Sequence, residues 1–404
     1  MISCRRATTC AVALVVSMSS PCRAGVWSAE PFTAIVGDYS TNPGLQATRY
    51  SAETHAALVV DAPITYSADA ISFSLLPRFR VGDSKGYSST ASDYEHLDSK
   101  WEQDTERGSF SASAGIARDS SLYKDYVLNG FAGVRRQGLS ADIDWKRQLS
   151  ERFSFDTDAN YSRVRYAVSG TASALNDYTY TSVAPAFSWL EAEKNKFTAS
   201  ASAGLYKSSD GTTKSRNGNL QLGFTRSFTE LWSLTATAGF SRALDELDFS
   251  QLRLVFGPGG LQFVRVPVTL KSSQNGSVYS ASLSRQGSLL QVNMTASRQL
   301  VPSGFAFLSR QRSYEVSANY QLTERWNVNG DARYLKSEDP SNRGVFVDRT
   351  VRVGALSSTW RWTENWTVTA AASRVAERVG APAVQPASTE FSLQLGRRFN
   401  RWYF

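Results

Sequence analysis

Cysteine, histidine and long apolar runs are scarce in this chain of 404 residues. Its three cysteines, Cys4, Cys10 and Cys22, all fall within the first two dozen residues. From residue 25 onward no thiol remains, so neither a disulfide nor a thiolate metal centre can form. The two histidines, His55 and His96, stand in no metal-ligand spacing, and no metal is expected. No cofactor motif is found either. Phe256 to Gly260 reads FGPGG, which lacks the lysine and helix context of a phosphate loop and reads as a turn. With 44 Lys+Arg against 36 Asp+Glu and no basic block, nucleic acid is not an expected partner. Past the N-terminus no apolar run approaches the roughly 18–20 residues of a membrane helix. That excludes a helical membrane protein but leaves open a membrane β-barrel, whose alternating strands average out as polar.

The apolar stretch that is present, AVALVVSM from Ala11 to Met18, follows Arg5 and Arg6 and precedes CRAG at Cys22 to Gly25. This is the layout of an export signal ending before Gly25. Pro21, directly before Cys22, argues against a lipoprotein site. The expected organisation is a signal over 1–24 and a single domain over 25–404. Removing the signal lowers the formal charge from +8 to +5, since Arg5, Arg6 and Arg23 leave with it.

From Phe32 onward the text alternates with period two. Phe153, Phe155, Thr157, Ala159 and Tyr161 oppose Ser154, Asp156, Asp158, Asn160 and Ser162; Trp232 to Phe240 repeats the pattern. A soluble sandwich also alternates, but its inner face is filled with bulky apolar side chains. Here the polar face carries Asp142, Asp144, Asp156, Asp158, Asn160, Asn293, Asn327, Asn329, Asp331 and Arg333 within strands, a set that suits a wet lumen. Connections alternate between short (such as Thr229–Leu231) and longer polar ones (such as Leu300–Arg310), as in outer-membrane barrels. The longest, Leu244–Asn275, has two readings. It forms a hairpin extending the wall, or it folds into the lumen and brings Arg253 and Arg265 to a constriction.

Four copies of one repeat, beginning at Leu149, Phe228, Leu322 and Trp362, act as a ruler. Four residues on stands an aromatic, Phe153, Trp232, Trp326 or Trp366; twelve on stands Tyr161, Phe240 or Tyr334, with Arg374 the exception. Eight strand residues span about 26 Å, or roughly 20 Å of membrane at a tilt near 40°. These aromatics are read as two interfacial girdles. Two residues further, Arg163, Arg242 and Lys336, with Arg118 and Arg298 in the same phase, are read as bases facing lipopolysaccharide phosphates.

Counting to Phe404 gives an all-β, antiparallel up-and-down transmembrane barrel of about eighteen strands, or sixteen if Phe32–Ser40 stays outside the wall. The terminal RRFNRWYF slips out of the Phe391, Leu393, Leu395 phase, and a bulge would restore it. The signal, the strand run and the terminal Phe404 resemble the outer-membrane β-barrel porins of Gram-negative bacteria. YSTNPGL (Tyr39 to Leu45) resembles more narrowly a sub-family in part encoded beside exopolysaccharide genes. The resemblance implies Phe404 as an assembly signal read by the barrel-insertion machinery, outer-membrane localisation and lipid contact, and a channel or export role. A porin for small polar or charged solutes is the first expectation, and an exopolysaccharide conduit with export partners the second. An outer-membrane hydrolase would need His96 as its base, and no enzymatic activity is expected. Solute and oligomeric state are not set by the sequence.

Overall fold

The computed structural model describes residues 25–43, 45, 52–85, 93–120, 135–167, 175–257, 260–303, 308–338, 348–379 and 385–404. Residues 1–24, where an export signal is expected, and Gly44 of the YSTNPGL segment lie outside these residues. Among the described residues twenty-one strand segments form one sheet, antiparallel at every pairing. Phe32–Ser40 pairs on one side with Glu53–Asp61 and on the other with Ala387–Arg398, so the sheet closes on itself. Phe32–Ser40 is therefore part of the wall, which rules out the sixteen-strand alternative.

At the seam three staves are each broken once. Val26–Ala29 and Phe32–Ser40 are separated at Pro31, Glu53–Asp61 and Ile64–Ala68 at Pro63, and Ala387–Arg398 and Trp402–Tyr403 at Phe399–Arg401. Proline has no N–H to give the ladder. Its carbonyl still accepts: Phe399 donates its N–H to Pro31 at 2.9 Å, and Glu30 donates to Pro63 at 3.2 Å. Counting each broken stave once, the wall has eighteen strands. The phase slip at the C-terminus is thus a break rather than a bulge. Arg401 crosses it to Glu30 at 2.8 Å.

The repeat's Ser or Thr has a local task that its spacing did not reveal. The Thr229 hydroxyl accepts from the N–H groups of Leu231 (3.2 Å) and Trp232 (3.1 Å), and Thr363 accepts likewise from Asn365 (3.3 Å) and Trp366 (3.1 Å). Ser150 accepts from Arg152 and Phe153. A hydroxyl that satisfies two turn amides fixes the turn and starts the next strand in register. All four repeats lie at one end of the barrel, the turn end. The other end is the loop end.

The connections read as long are partly strand. Asn195–Ser208 and Thr213–Ser227 pair up to Lys207 and Lys214, leaving only a tight turn that uses Gly211 at φ 74°. Leu244–Asn275 lies almost wholly in strands Trp232–Gly257 and Gly260–Gln286, which stay in unbroken register from Trp232↔Arg285 to Gly257↔Gly260. The neighbouring stave leaves this hairpin at Thr213↔Leu247, so its tip projects as a two-stranded ribbon beyond the wall. Leu252, Leu254 and Phe263 are exposed there, as is Arg265. The constriction alternative for Arg253 and Arg265 therefore fails. Their backbone is committed to the ladder of a ribbon that projects past the rim.

Candidate functional site

Register sorts the side chains into two continuous faces. The outer face is apolar and uncovered: Leu220, Leu222 and Phe240, adjacent on two staves, are 69%, 72% and 78% exposed. An apolar expanse of this kind around a whole wall is not suited to water. It suits hydrocarbon. All seven residues read as girdle aromatics, Phe153, Tyr161, Trp232, Phe240, Trp326, Tyr334 and Trp366, fall on this face in register. Phe153 stacks on Phe187 with centroids 5.4 Å apart, and the Trp326 indole donates to Ser358 at 2.7 Å. Replacing Trp232, Trp326 and Trp366 by Ala should lower the temperature at which the heat-modifiable band unfolds, with single-channel conductance unchanged. A conductance change without a stability change would remove the girdle assignment.

The five bases Arg118, Arg163, Arg242, Arg298 and Lys336 share the outer face on the loop side of the girdle. Their surroundings differ. Arg118 faces Glu95 at 3.7 Å. Arg298, by contrast, stands opposite Arg312, and Arg312 opposite Lys336.

The inner face is polar and holds the ten residues read as lumen-facing. Asp142 is opposite Asn160, Asp144 opposite Asp158, and Lys146 opposite Asp156. Asn293 and Asn329 lie in phase through Ser317 and Asn319, Asn327 is opposite Thr359, and Asp331 is opposite Ala355. The Arg333 guanidinium donates twice to Glu315, at 2.9 and 3.1 Å. Ser111 and Ser113 donate to Asp144 and Asp142 at 3.0 and 3.4 Å.

Charge is distributed unevenly around this lining. One arc, from Ile71–Lys85 to Phe153–Tyr166, is ionic. Besides the aspartates it carries Arg78 paired with Asp98 and Lys100 paired with Glu102, both at 2.5 Å. Another arc, from Asn195–Ser208 to Leu290–Pro302, is lined mainly by Ser, Thr, Asn and Gln, with Lys196 at the turn end and Asp245 at the loop end. There Ser233 meets Ser284 at 2.7 Å, Asn219 donates to Ser202 at 3.0 Å, and Ser282 to Asn293 at 3.2 Å. The hydroxyl and amide arc was legible as polar strand text. The ionic pairs were not, since Arg78, Asp98, Lys100 and Glu102 have nothing in their spacing that announces a partner.

Burial divides the lumen along its axis. Among the described residues every buried polar side chain except Ser188 lies in the loop-side half. His96 belongs to one such group, 3.3 Å from Asp119, which Arg136 holds with a bidentate pair at 2.9 and 3.1 Å. Asp38 lies between His55 and Arg80, and Arg349 meets Glu377 at 2.5 Å. Such pairs neutralise charges taken out of water.

The loop half also holds a strap the sequence did not announce. The strand Leu290–Pro302 pairs with Gly260–Gln286 only as far as Tyr279↔Arg298, yet pairs with Leu308–Thr323 on to Pro302↔Leu308. The hairpin tip has thus peeled away from its neighbour. Tyr206, fully buried on the inner face of a stave separated from this one by three strands, donates its hydroxyl to the Ser303 carbonyl at 3.0 Å. Leu308 is buried in one cluster with Val164, Tyr166, Leu175, Tyr178 and Tyr206. The two ends of the peeled tip, Ser303 and Leu308, thus lie inside the barrel against the staves that carry Tyr178 and Tyr206.

No protein-family model matches the sequence, and no curated protein matches it. The barrel is similar in shape to several solved structures. The ferric-catecholate import receptor Fiu of E. coli K12 is 9% identical, with 94% of this chain and 82% of that one covered at a TM-score of 0.45. OccAB2 of Acinetobacter baumannii is 11% identical, with 94% and 98% covered at 0.45. OpdK of Pseudomonas aeruginosa, solved with vanillate, is 11% identical, with 93% and 99% covered at 0.44. At such values the likeness adds nothing to what the hydrogen-bond ladder has already established: this chain is a closed antiparallel β-barrel of eighteen strands.

Proposed function

We propose that the chain is an outer-membrane channel for polar solutes, narrowed at its loop end by the Tyr206-anchored strap and widened when that strap is released. The observation that carries this reading is the pairing of two continuous faces, an exposed apolar exterior and a polar lining around a closed ring. Barrels of 16–18 strands are wide enough to leave an aqueous passage. The solute diffuses past the ionic arc on one side and the hydroxyl and amide arc on the other. Outer-membrane residence in a Gram-negative cell, lipopolysaccharide around the wall, insertion by the barrel-assembly machinery through Phe404, and the absence of enzymatic turnover belong to the same proposal. Purified protein in a planar bilayer should give discrete conductance steps; a bilayer that stays silent even after the strap is released would sink the channel reading.

A second reading, a conduit for exopolysaccharide, is favoured by the hydroxyl and amide arc. Closely spaced hydroxyl and amide groups can trade hydrogen bonds with a neutral polyhydroxylated chain as it slides, without holding it at one strong site. Loss of surface polymer in a deletion strain, restored by the intact gene, supports the conduit. Unaltered polymer with altered small-solute uptake supports the porin.

A further inference from the structure

The strands that carry the strap also carry, on their outer face, a concentration of positive charge. Arg298, Arg312 and Lys336 stand opposite one another on three successive strands. Adjacent strands are about 4.8 Å apart, so these are like charges held as direct cross-strand neighbours, an arrangement that costs stability. Arg310 adds a fourth base one step nearer the loop end, opposite Glu338. Carboxylates offset this only in part. Glu338 is shared between Lys336 at 2.7 Å and Arg312 at 3.5 Å, and Asp348 lies 3.6 Å from Lys336.

Part of the cluster has a structural explanation. Where the hairpin peels away, Arg310 donates to the freed Asn275 carbonyl at 3.4 Å and Arg298 to the Ser277 hydroxyl at 2.8 Å. Those two contacts patch the split in the wall. They do not account for Arg312 and Lys336, which lie on the side away from it. The Nε atoms of Arg298 and Arg312 have no hydrogen-bond partner among the described residues. Below the bases is an aromatic shelf: the Tyr279 and Tyr314 hydroxyls are 3.4 Å apart, and the Tyr314 and Tyr334 rings are 5.9 Å apart.

We propose that this sector binds the phosphate ester of a lipid in the facing leaflet, with the phosphate between Arg298, Arg312 and Lys336 and the acyl chains on the apolar wall below the tyrosines. A phosphate offers several acceptor oxygens to guanidinium donors and removes the cross-strand repulsion as it binds. An outer face with tyrosines directly beneath the cations fits a lipid rather than a free ion, because the ligand must be anionic at one end and apolar at the other. This rests on the membrane-spanning reading above and narrows it. Of the outward bases, this sector, and not Arg118, Arg163 or Arg242, forms a defined site.

The test is native mass spectrometry of the full chain, delipidated and then offered bis-phosphorylated lipid A, its dephosphorylated form, or inorganic phosphate. The intact chain should retain the phosphorylated lipid. Arg312→Gln with Lys336→Gln should weaken that retention by about tenfold or more, the scale of one charge-assisted hydrogen bond lost. Arg163→Gln with Arg242→Gln, which removes as many outward bases elsewhere, should leave it within about twofold, the small effect expected of isolated exposed charges. Both variants should keep heat-modifiable migration, so that loss of binding is not loss of fold. Equal retention by the sector variant, equal retention of the dephosphorylated lipid, or stable retention of inorganic phosphate would each overturn the site. A chain that enters vesicles but binds no phosphorylated lipid overturns the site and leaves the membrane reading standing. A chain that does not enter vesicles overturns both.

Discussion

Tyr206→Ala combined with Leu308→Ser should raise the mean conductance of the channel severalfold, because together they unpin the strap. The Tyr206 hydroxyl makes its bond to Ser303 in a fully buried position. Such a bond contributes about 1 kcal/mol net, and truncating a buried leucine costs about 2–5 kcal/mol. At least about 3 kcal/mol of bias toward the closed strap is lost, which shifts its closed-to-open ratio by roughly a hundredfold. The wall itself should survive, since its ladder does not pass through either side chain. Tyr206→Phe gives a graded version, with a shift of roughly fivefold from the hydroxyl by itself. Conductance recorded in planar bilayers decides the matter. A correctly folded double variant with unaltered conductance means the mouth is not gated there.

Leu222→Arg should destabilise the folded barrel by about 2–4 kcal/mol in a bilayer, the known scale for a base on the lipid face near the midplane. In an aqueous protein the same substitution at a side chain 72% exposed would be close to neutral. The sign and size of the effect therefore report the solvent around the wall. Gln221→Arg, one residue along and facing the lumen, is the matched control. It should alter ion preference while leaving stability within about 0.5 kcal/mol. Unfolding in denaturant from vesicles measures both. A neutral Leu222→Arg would place this face in water and end the membrane reading.

Period-two text and the fixed offsets of the repeat were enough to read the barrel from the sequence, because strand geometry maps both directly onto faces and levels. The turn hydroxyls of Thr229 and Thr363 were visible as letters, but their hydrogen bonds to the following amides required coordinates. Two features escaped for the same physical reason. The ribbon beyond Leu247 and the peeling of the hairpin beyond Arg298 both depend on where one strand stops pairing with its neighbour. Pairing length is a property of two strands, and neither strand's sequence records it. Leu244–Asn275 could thus be read either way, and Leu300–Arg310 passed for an ordinary loop. The ionic arc was half legible. Asp142, Asp144, Asp156 and Asp158 sit in phase on consecutive strands, whereas His96, Asp119 and Arg136 meet only through register.

The seam constrains the order of assembly. Every other pairing joins staves that follow one another in the chain, so each can zip as soon as its hairpin exists. Phe32–Ser40 with Ala387–Arg398 is different, with partners such as Ser40 and Ser388 separated by 348 residues. Closing a free loop of that length costs about 5 kcal/mol of chain entropy, far less if the intervening wall has already formed. Closure should therefore come last. The three aligned breaks, at Pro31, Pro63 and Phe399–Arg401, then act like a vernier. Sliding the last stave by two residues would move its break off the two prolines and separate Arg401 from Glu30, so the final step has one register in which all three scales coincide.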